Sequence, residues 1–180
     1  VHRDKQSIQK LSGRSRGHHR RCGQTTSTAA ASDPVIPVLP VESLSSKQLS
    51  LRADLPDVPC VLIVGFSRAS SEPTTDWSRR LQTTLPSDSV AIYSVSVIED
   101  VPRFVCGLVV SSIRRSAPAS IHDRFLLVTQ NASAWKDLAS YSEPDTAYVL
   151  LTNTAHEVVW RAAGSPTEDK LAALVHRSER

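Results

Sequence analysis

Apolar positions along this chain follow two rhythms that alternate from residue 60 to the end. Residues 60–66 (Cys-Val-Leu-Ile-Val-Gly-Phe) form a continuous apolar run, which predicts a strand buried on both faces. A helix is predicted over 74–85, opened by Ser71 and Pro73, with Trp77, Leu81 and Leu85 on one stripe. Residues 89–98 return to strand chemistry, with Val90, Ile92, Val95 and Val97 among β-formers. The next helix begins at Asp100 as N-cap, with Pro102 in its first turn. Val101, Phe104, Val105, Leu108, Val109 and Ile113 recur at helical spacing; Arg114 and Arg115 suit its C-terminal dipole, and Pro118 ends it. A strand at 124–129 and a short helix at 133–139, bearing Trp135 and Leu138, come next. Strands at 146–152 and 157–161 flank the turn Asn153-Thr154-Ala155-His156. Ser165-Pro166-Thr167-Glu168 reads as a capping box for a last helix with Leu171, Leu174 and Val175 on its stripe.

The order β-α-β-α-β-α-β-β-α predicts an α/β fold with a central mixed sheet and helices on both faces. Residues 61–66 are expected inside the sheet, and 158–160 antiparallel near an edge. Trp77, Phe104 and Leu174 are expected to be buried. Upstream, Asp33 to Pro40 carries three prolines in an extended stretch, and residues 48–55 alternate polar and apolar as an edge strand would. This divides the chain into a basic tail (1–33), an extended Pro-rich lead-in (34–47) and a folded domain (48–177).

Charge separates the tail from the rest. Of the net +3, residues 1–32 carry +6, from seven Lys/Arg against Asp4, which leaves −3 for the remainder. The folded part therefore has no electrostatic support for binding nucleic acid. The tail is Arg/Ser/Thr-rich and aperiodic, and disorder is expected. A mitochondrial transit peptide shares that bias but would carry apolar residues at helical spacing, and a misassigned start is the third account of the stretch.

No apolar run reaches the length of a membrane span, and no secretory h-region stands near the start. Cys22, Cys60 and Cys106 are too widely spaced for a disulfide framework or zinc site. Cys60 and Cys106 read as small buried hydrophobes. No metal or cofactor is expected: His122-Asp123 and His156-Glu157 are adjacent pairs on opposite faces, read as surface loops. Neither a Gly-x-Ser-x-Gly elbow nor a Gly-rich phosphate loop occurs.

A strand–turn–helix junction is where a thioredoxin-like protein holds its redox cysteines, because a helix N-terminus favours a thiolate. Here the junction after strand 60–66 carries Ser67, Ser70, Ser71, Thr74 and Thr75 and no cysteine. These hydroxyls read as caps and turn formers, with carboxylate or phosphate binding as the sharper alternative.

Further resemblance lies in Tyr93-Ser94-Val95-Ser96-Val97-Ile98, Pro102-Arg103-Phe104, Ser112-Ile113-Arg114-Arg115-Ser116-Ala117-Pro118, Asp123-Arg124-Phe125-Leu126-Leu127-Val128, Tyr148-Val149-Leu150-Leu151 and Val159-Trp160-Arg161-Ala162-Ala163-Gly164. Over roughly residues 40–176 the succession resembles the mitochondrial ATP synthase assembly-factor family, tenth in that nomenclature, and its bacterial relatives. The resemblance implies a thioredoxin-like fold of peroxiredoxin-like topology without a redox pair. It implies a chaperone or assembly role, whose protein partner is a membrane-embedded Fo subunit. It places the site of action in the bacterial cytoplasm or on the matrix side of the inner mitochondrial membrane. Arg103, Arg114, Arg115 and Arg161 match the family's distinctive positions and are the candidate partner-binding residues, against a solvated helix face as the plain reading. The expectation is a non-enzymatic, redox-inactive protein-binding domain. The competing class is a peroxiredoxin-like or thiol-disulfide oxidoreductase with a lost or relocated cysteine.

Overall fold

The computed structural model describes residues 34–86, 88–98 and 103–179, without the side chains of Arg103 and Phe104. The basic tail, the cap expected at Asp100 with Pro102, and the expected burial of Phe104 lie outside the described residues.

Among the described residues seven strands form one mixed sheet in the order β2-β1-β5-β4-β3-β6-β7. Its centre is β3 (Cys60–Gly65), buried at every position, parallel to β4 (Ala91–Val97) and antiparallel to β6 (Ala147–Thr152). Burial on both faces is what the unbroken apolar run demanded. β5 (Phe125–Val128) extends the parallel set beside β4. β7 (Val158–Ala163) closes one edge antiparallel to β6, with an irregularity between Leu151 and Thr152.

Helix α1 (Ser71–Thr84) crosses from β3 to β4, and α2 (Arg103–Ser116) from β4 to β5. Helix α3 (Ala132–Ala139) precedes β6, and α4 (Glu168–Ser178) follows β7. One face of the sheet packs Val61, Ile63, Val149 and Leu151 against Trp77 and Leu81 of α1 and Leu171 and Leu174 of α4. The other packs Leu62, Val64, Val95 and Leu126 against Trp135 and Leu138 of α3. The Trp77 indole N–H, fully buried, donates to the Gly164 carbonyl (2.7 Å), which removes the cost of an unpaired donor. Trp77 and Leu174 are both buried, as expected.

Three features depart from the pattern along the chain. Residues 34–47, set outside the 48–177 domain by composition, supply β1 (Pro40–Ser43) between β2 (Gln48–Ser50) and β5, with Ile36, Leu39, Val41 and Leu44 buried. The lead-in also bridges Val35 to Glu157 at the start of β7, with Ile36 N donating to His156 O at 2.9 Å. The last helix is capped by Thr167, whose hydroxyl accepts from Lys170 N, so the expected capping box starting at Ser165 does not form. Its third helical residue is a lysine, which cannot reciprocate as Glu would. A 3-10 helix over Ala119–Arg124 fills a stretch that carried no periodic signal. No described helix is long and apolar enough to cross a membrane.

Candidate functional site

At the end of β3 the chain must turn sharply into α1, and Gly65 makes this possible. A Cβ there would lie 2.6 Å from Ser70 Oγ, closer than real contacts allow, and a tight 3.2 Å from Thr74 Cγ2. Ser70, almost fully buried, closes the turn: its hydroxyl donates to Ser67 O at 2.7 Å and accepts from Ser67 N at 3.3 Å. Ser67 Oγ reciprocates by accepting from Ser70 N at 3.1 Å and donating to Asp145 Oδ1 at 2.7 Å. That last bond ties the β3–α1 turn to the loop before β6.

Ser71 and Thr74 stand at the i, i+3 spacing of a Cys-x-x-Cys pair in the first turn of α1. Ser71 Oγ donates to Arg68 O (2.7 Å), and Thr74 and Thr75 both donate to Ser71 O (3.0 and 2.7 Å). Four of the five hydroxyls therefore donate to carbonyls within the junction, as turn formers do, and Ser67 donates to Asp145 outside it. The N-cap Ser70 makes no side-chain cap bond, so the capping expected of these residues does not form. The Asp145 carboxylate beside Ser67 adds a negative charge where an anion would sit, which disfavours the phosphate alternative.

The loop facing this junction is organised by Tyr148, the second residue of β6. Its buried hydroxyl donates to Glu143 O (2.9 Å) and accepts from the backbone N–H groups of Ser142 and Glu143 (2.8 Å each). Phe66 stacks edge-on against Tyr141 and Tyr148, with centroids 4.9 and 5.5 Å away. The described peptide bonds include no cis bond.

The described thiols lie away from the junction. Cys60 opens β3, at the opposite end from Gly65, about 16 Å off at strand rise. Burial pushes its thiol up to about 11 against a smaller opposing pull from Thr152, and its Sγ bonds to Val58 O at 3.3 Å. A thiol held there is protonated at neutral pH and a poor nucleophile. Cys106 sits in α2 and is half-buried rather than buried, because that helix is not sunk into the core.

The histidine pairs are not acid–base dyads. His122 Nε2 lies 3.0 Å from Ala117 O, and Asp123 is held low by its bonds to Lys47 and Ser45. His156 was expected at the surface and is instead 8% exposed, at φ 60°, with Nδ1 buried and unpartnered. The lead-in bonds to its carbonyl. Among the described residues no group of three or more His, Cys, Asp or Glu could hold a metal.

The four candidate arginines do not form one patch. Arg114 donates through Nε to Leu44 O (2.7 Å) and through Nη2 to Ser46 Oγ (3.0 Å), pinning α2 to the β1–β2 turn. Arg115 Nε bonds to Ser111 O in its own helix (3.2 Å). Arg161, on β7 at the far edge of the sheet, donates to Leu138 O of α3 (3.0 Å). Arg103 opens α2, about 16 Å along the helix from Arg114. The helical periodicity did not reveal Leu108, which is 70% exposed, because a stripe shows which side is apolar and not whether anything covers it.

No family model matches this chain, and no curated protein matches its sequence. Solved structures do match its fold. A putative electron transfer protein from Aquifex aeolicus aligns at TM-score 0.58 and 10% identity, over 83% of this chain and 99% of that one. BsSco, a member of the Sco family of cytochrome c oxidase assembly proteins, aligns at 0.53 and 14%, over 83% and 95%. The thiol peroxidase of Chromobacterium violaceum aligns at 0.52 and 12%, over 82% and 87%. The fold is thioredoxin-like, with peroxiredoxin-like proteins among the structures that share it. Identities this low speak for fold alone.

Proposed function

We propose that this chain is a non-enzymatic thioredoxin-like domain that binds a protein partner. The observation that carries this reading is the β3–α1 junction, where Ser67, Ser70, Ser71, Thr74 and Thr75 bond among themselves, to nearby carbonyls and to Asp145. Thiol exchange and peroxide reduction both need a thiolate, and serine at its free pKa does not replace one without an adjacent base. These hydroxyls donate to backbone carbonyls and, from Ser67, to the Asp145 carboxylate, a far weaker base than the imidazole that activates a serine.

The finer form of the proposal is an assembly factor or chaperone for a membrane-embedded ATP synthase Fo subunit. Its support is the resemblance of residues 40–176 to that family.

The test is turnover. The full chain is expected to give no insulin reduction and no peroxide consumption above a protein-free control. A triple replacement of Cys22, Cys60 and Cys106 by alanine is expected to leave partner binding unchanged. Turnover that vanishes on replacing Cys60 or Cys106 would establish the oxidoreductase class instead.

A further inference from the structure

Helix α2 differs from the other three in what covers it. Trp77 and Leu81 of α1, Trp135, Leu138 and Ala139 of α3, and Leu171 and Leu174 of α4 are buried. No described side chain of α2, residues 105–116, is. The helix nevertheless carries Val105, Leu108, Val109, Val110 and Ile113. A helix of 14 residues draws most of its stability from a packed apolar face, so this one is under-covered for its composition.

Both sheet edges carry bonds that strand addition would have to break. At the β2 edge the Ser50 N–H donates to the Asp54 carboxylate, and Ser50 O accepts from Ala53 N and Asp54 N. At the β7 edge Arg177 Nη1 donates to Val159 O and Lys170 Nζ to Ala163 O. Strand addition at either edge would have to break these bonds. The junction hydroxyls are engaged as well.

We infer that the outward face of α2 docks an apolar helix of the partner protein, with a carboxylate about two turns from the point of contact. The inference rests on the protein-binding reading above. Its charge argument is that residues 103–122 contain three arginines and no acidic residue. Leu108 and Arg115 are seven residues apart, which puts them on the same side of the helix and about 10 Å apart along its axis. Both are exposed.

Local shape favours a helix over a lipid surface as the occupant. An interfacial helix needs a broad bulky apolar face. Around Leu108 the outward surface holds Gly107, Ser111 and Ser112, and a Cβ built on Gly107 would meet nothing within 4 Å. One projecting leucine beside a one-turn pair of small residues makes a knob and a groove, which is how helices interlock.

The probe is a synthetic amphipathic helical peptide of about 20 residues, long enough to span α2 at the same rise per residue. It carries a leucine face and a glutamate seven residues from the central leucine. Its counterpart carries lysine there. The full chain is expected to bind the glutamate peptide, with amide chemical-shift changes confined to 103–116, and not the lysine peptide. Leu108→Glu and Arg115→Glu are each expected to weaken binding by about tenfold or more, and Arg115→Glu to gain the lysine peptide. Both residues are exposed, so an unchanged thermal midpoint will show that each variant folds.

Three results would overturn the inference. One is binding to phosphatidylglycerol–phosphatidylcholine vesicles with no discrimination between peptides, which would mean a lipid surface. Another is self-association abolished by Leu108→Glu, which would mean a second copy. The third is the absence of any shift in α2. None of them bears on the turnover assay, so the non-enzymatic reading stands or falls separately.

Discussion

At the scale of single residues, burial decides what the cysteines can do. Cys60 is fully buried, and its thiol is raised by desolvation to about 11. An unfolded thiol ionises near 8.5. The folded state therefore favours the neutral form, and that contribution is complete below the unfolded value and lost as pH rises toward 11. The urea midpoint of the native protein is expected to fall more steeply between pH 8 and 10.5 than that of Cys60→Ala. Tyr93 is also raised, chiefly by burial and further by the charge of Cys60, so the difference reports the thiol together with its push on Tyr93. Parallel slopes would mean that Cys60 is not held as described. Asp76, by contrast, is held low mainly by its bond to Arg79 with help from Arg80; it is half-buried at the surface, and ordinary surface pairing suffices to explain it.

At the scale of elements, the β3–α1 junction is a packed unit in which a missing atom matters. Gly65 has no Cβ because Ser70 Oγ occupies the space, and Ser70 is the residue whose hydroxyl closes the turn. Gly65→Ala is expected to cost about 1–3 kcal/mol by overpacking. Removing the obstructing hydroxyl with Ser70→Gly breaks the turn bonds but leaves only Thr74 Cγ2 near the new methyl, at 3.2 Å. The double variant is therefore expected to lose less than the sum of the two single changes, by about 0.5 kcal/mol or more. Denaturant unfolding of the four proteins measures this, and strict additivity would mean that the close approach is not what selects glycine. The hydroxyl-rich composition of this junction was legible in the residues, and so was the absence of thiols. The bond from Ser67 to Asp145 was not, since the partners are 78 residues apart and nothing local marks Asp145.

At the scale of the whole molecule, the lead-in is the part whose role composition conceals. Ile36, Leu39, Val41 and Leu44 are buried, and β1 completes the sheet between β2 and β5. At about 1.5–3 kcal/mol for each buried aliphatic side chain, the four together rival the 5–15 kcal/mol that holds a typical domain. Deleting residues 1–33 removes none of these side chains and is expected to move the thermal midpoint by only a few degrees, at about 2–4 °C per kcal/mol. Deleting residues 1–44 is expected to abolish the cooperative transition seen by circular dichroism. A folded 1–44 deletion would show that β1 is dispensable, and a large loss from the shorter one would show that the tail contributes to the domain.

Element type and order followed from the residues alone, because the periods of strand and helix are local and the apolar run 60–66 admits little but a central strand. The same local signals misled wherever the outcome depended on what lies opposite. Pro37 and Pro40 marked an extended chain, and only the cross-sheet partners made it β1. Four arginines at distinctive positions looked like one set, and the sheet order sends Arg161 to the far edge. His156 lies in a turn that reads as surface, yet it is buried, with the lead-in bonded to its carbonyl. Helix α2 shows an apolar stripe like those of α1 and α4, yet nothing in the described chain buries it. Periodicity reports which faces are apolar; whether a face is covered, and by what, depends on residues distant in sequence, and tertiary structure alone decides it.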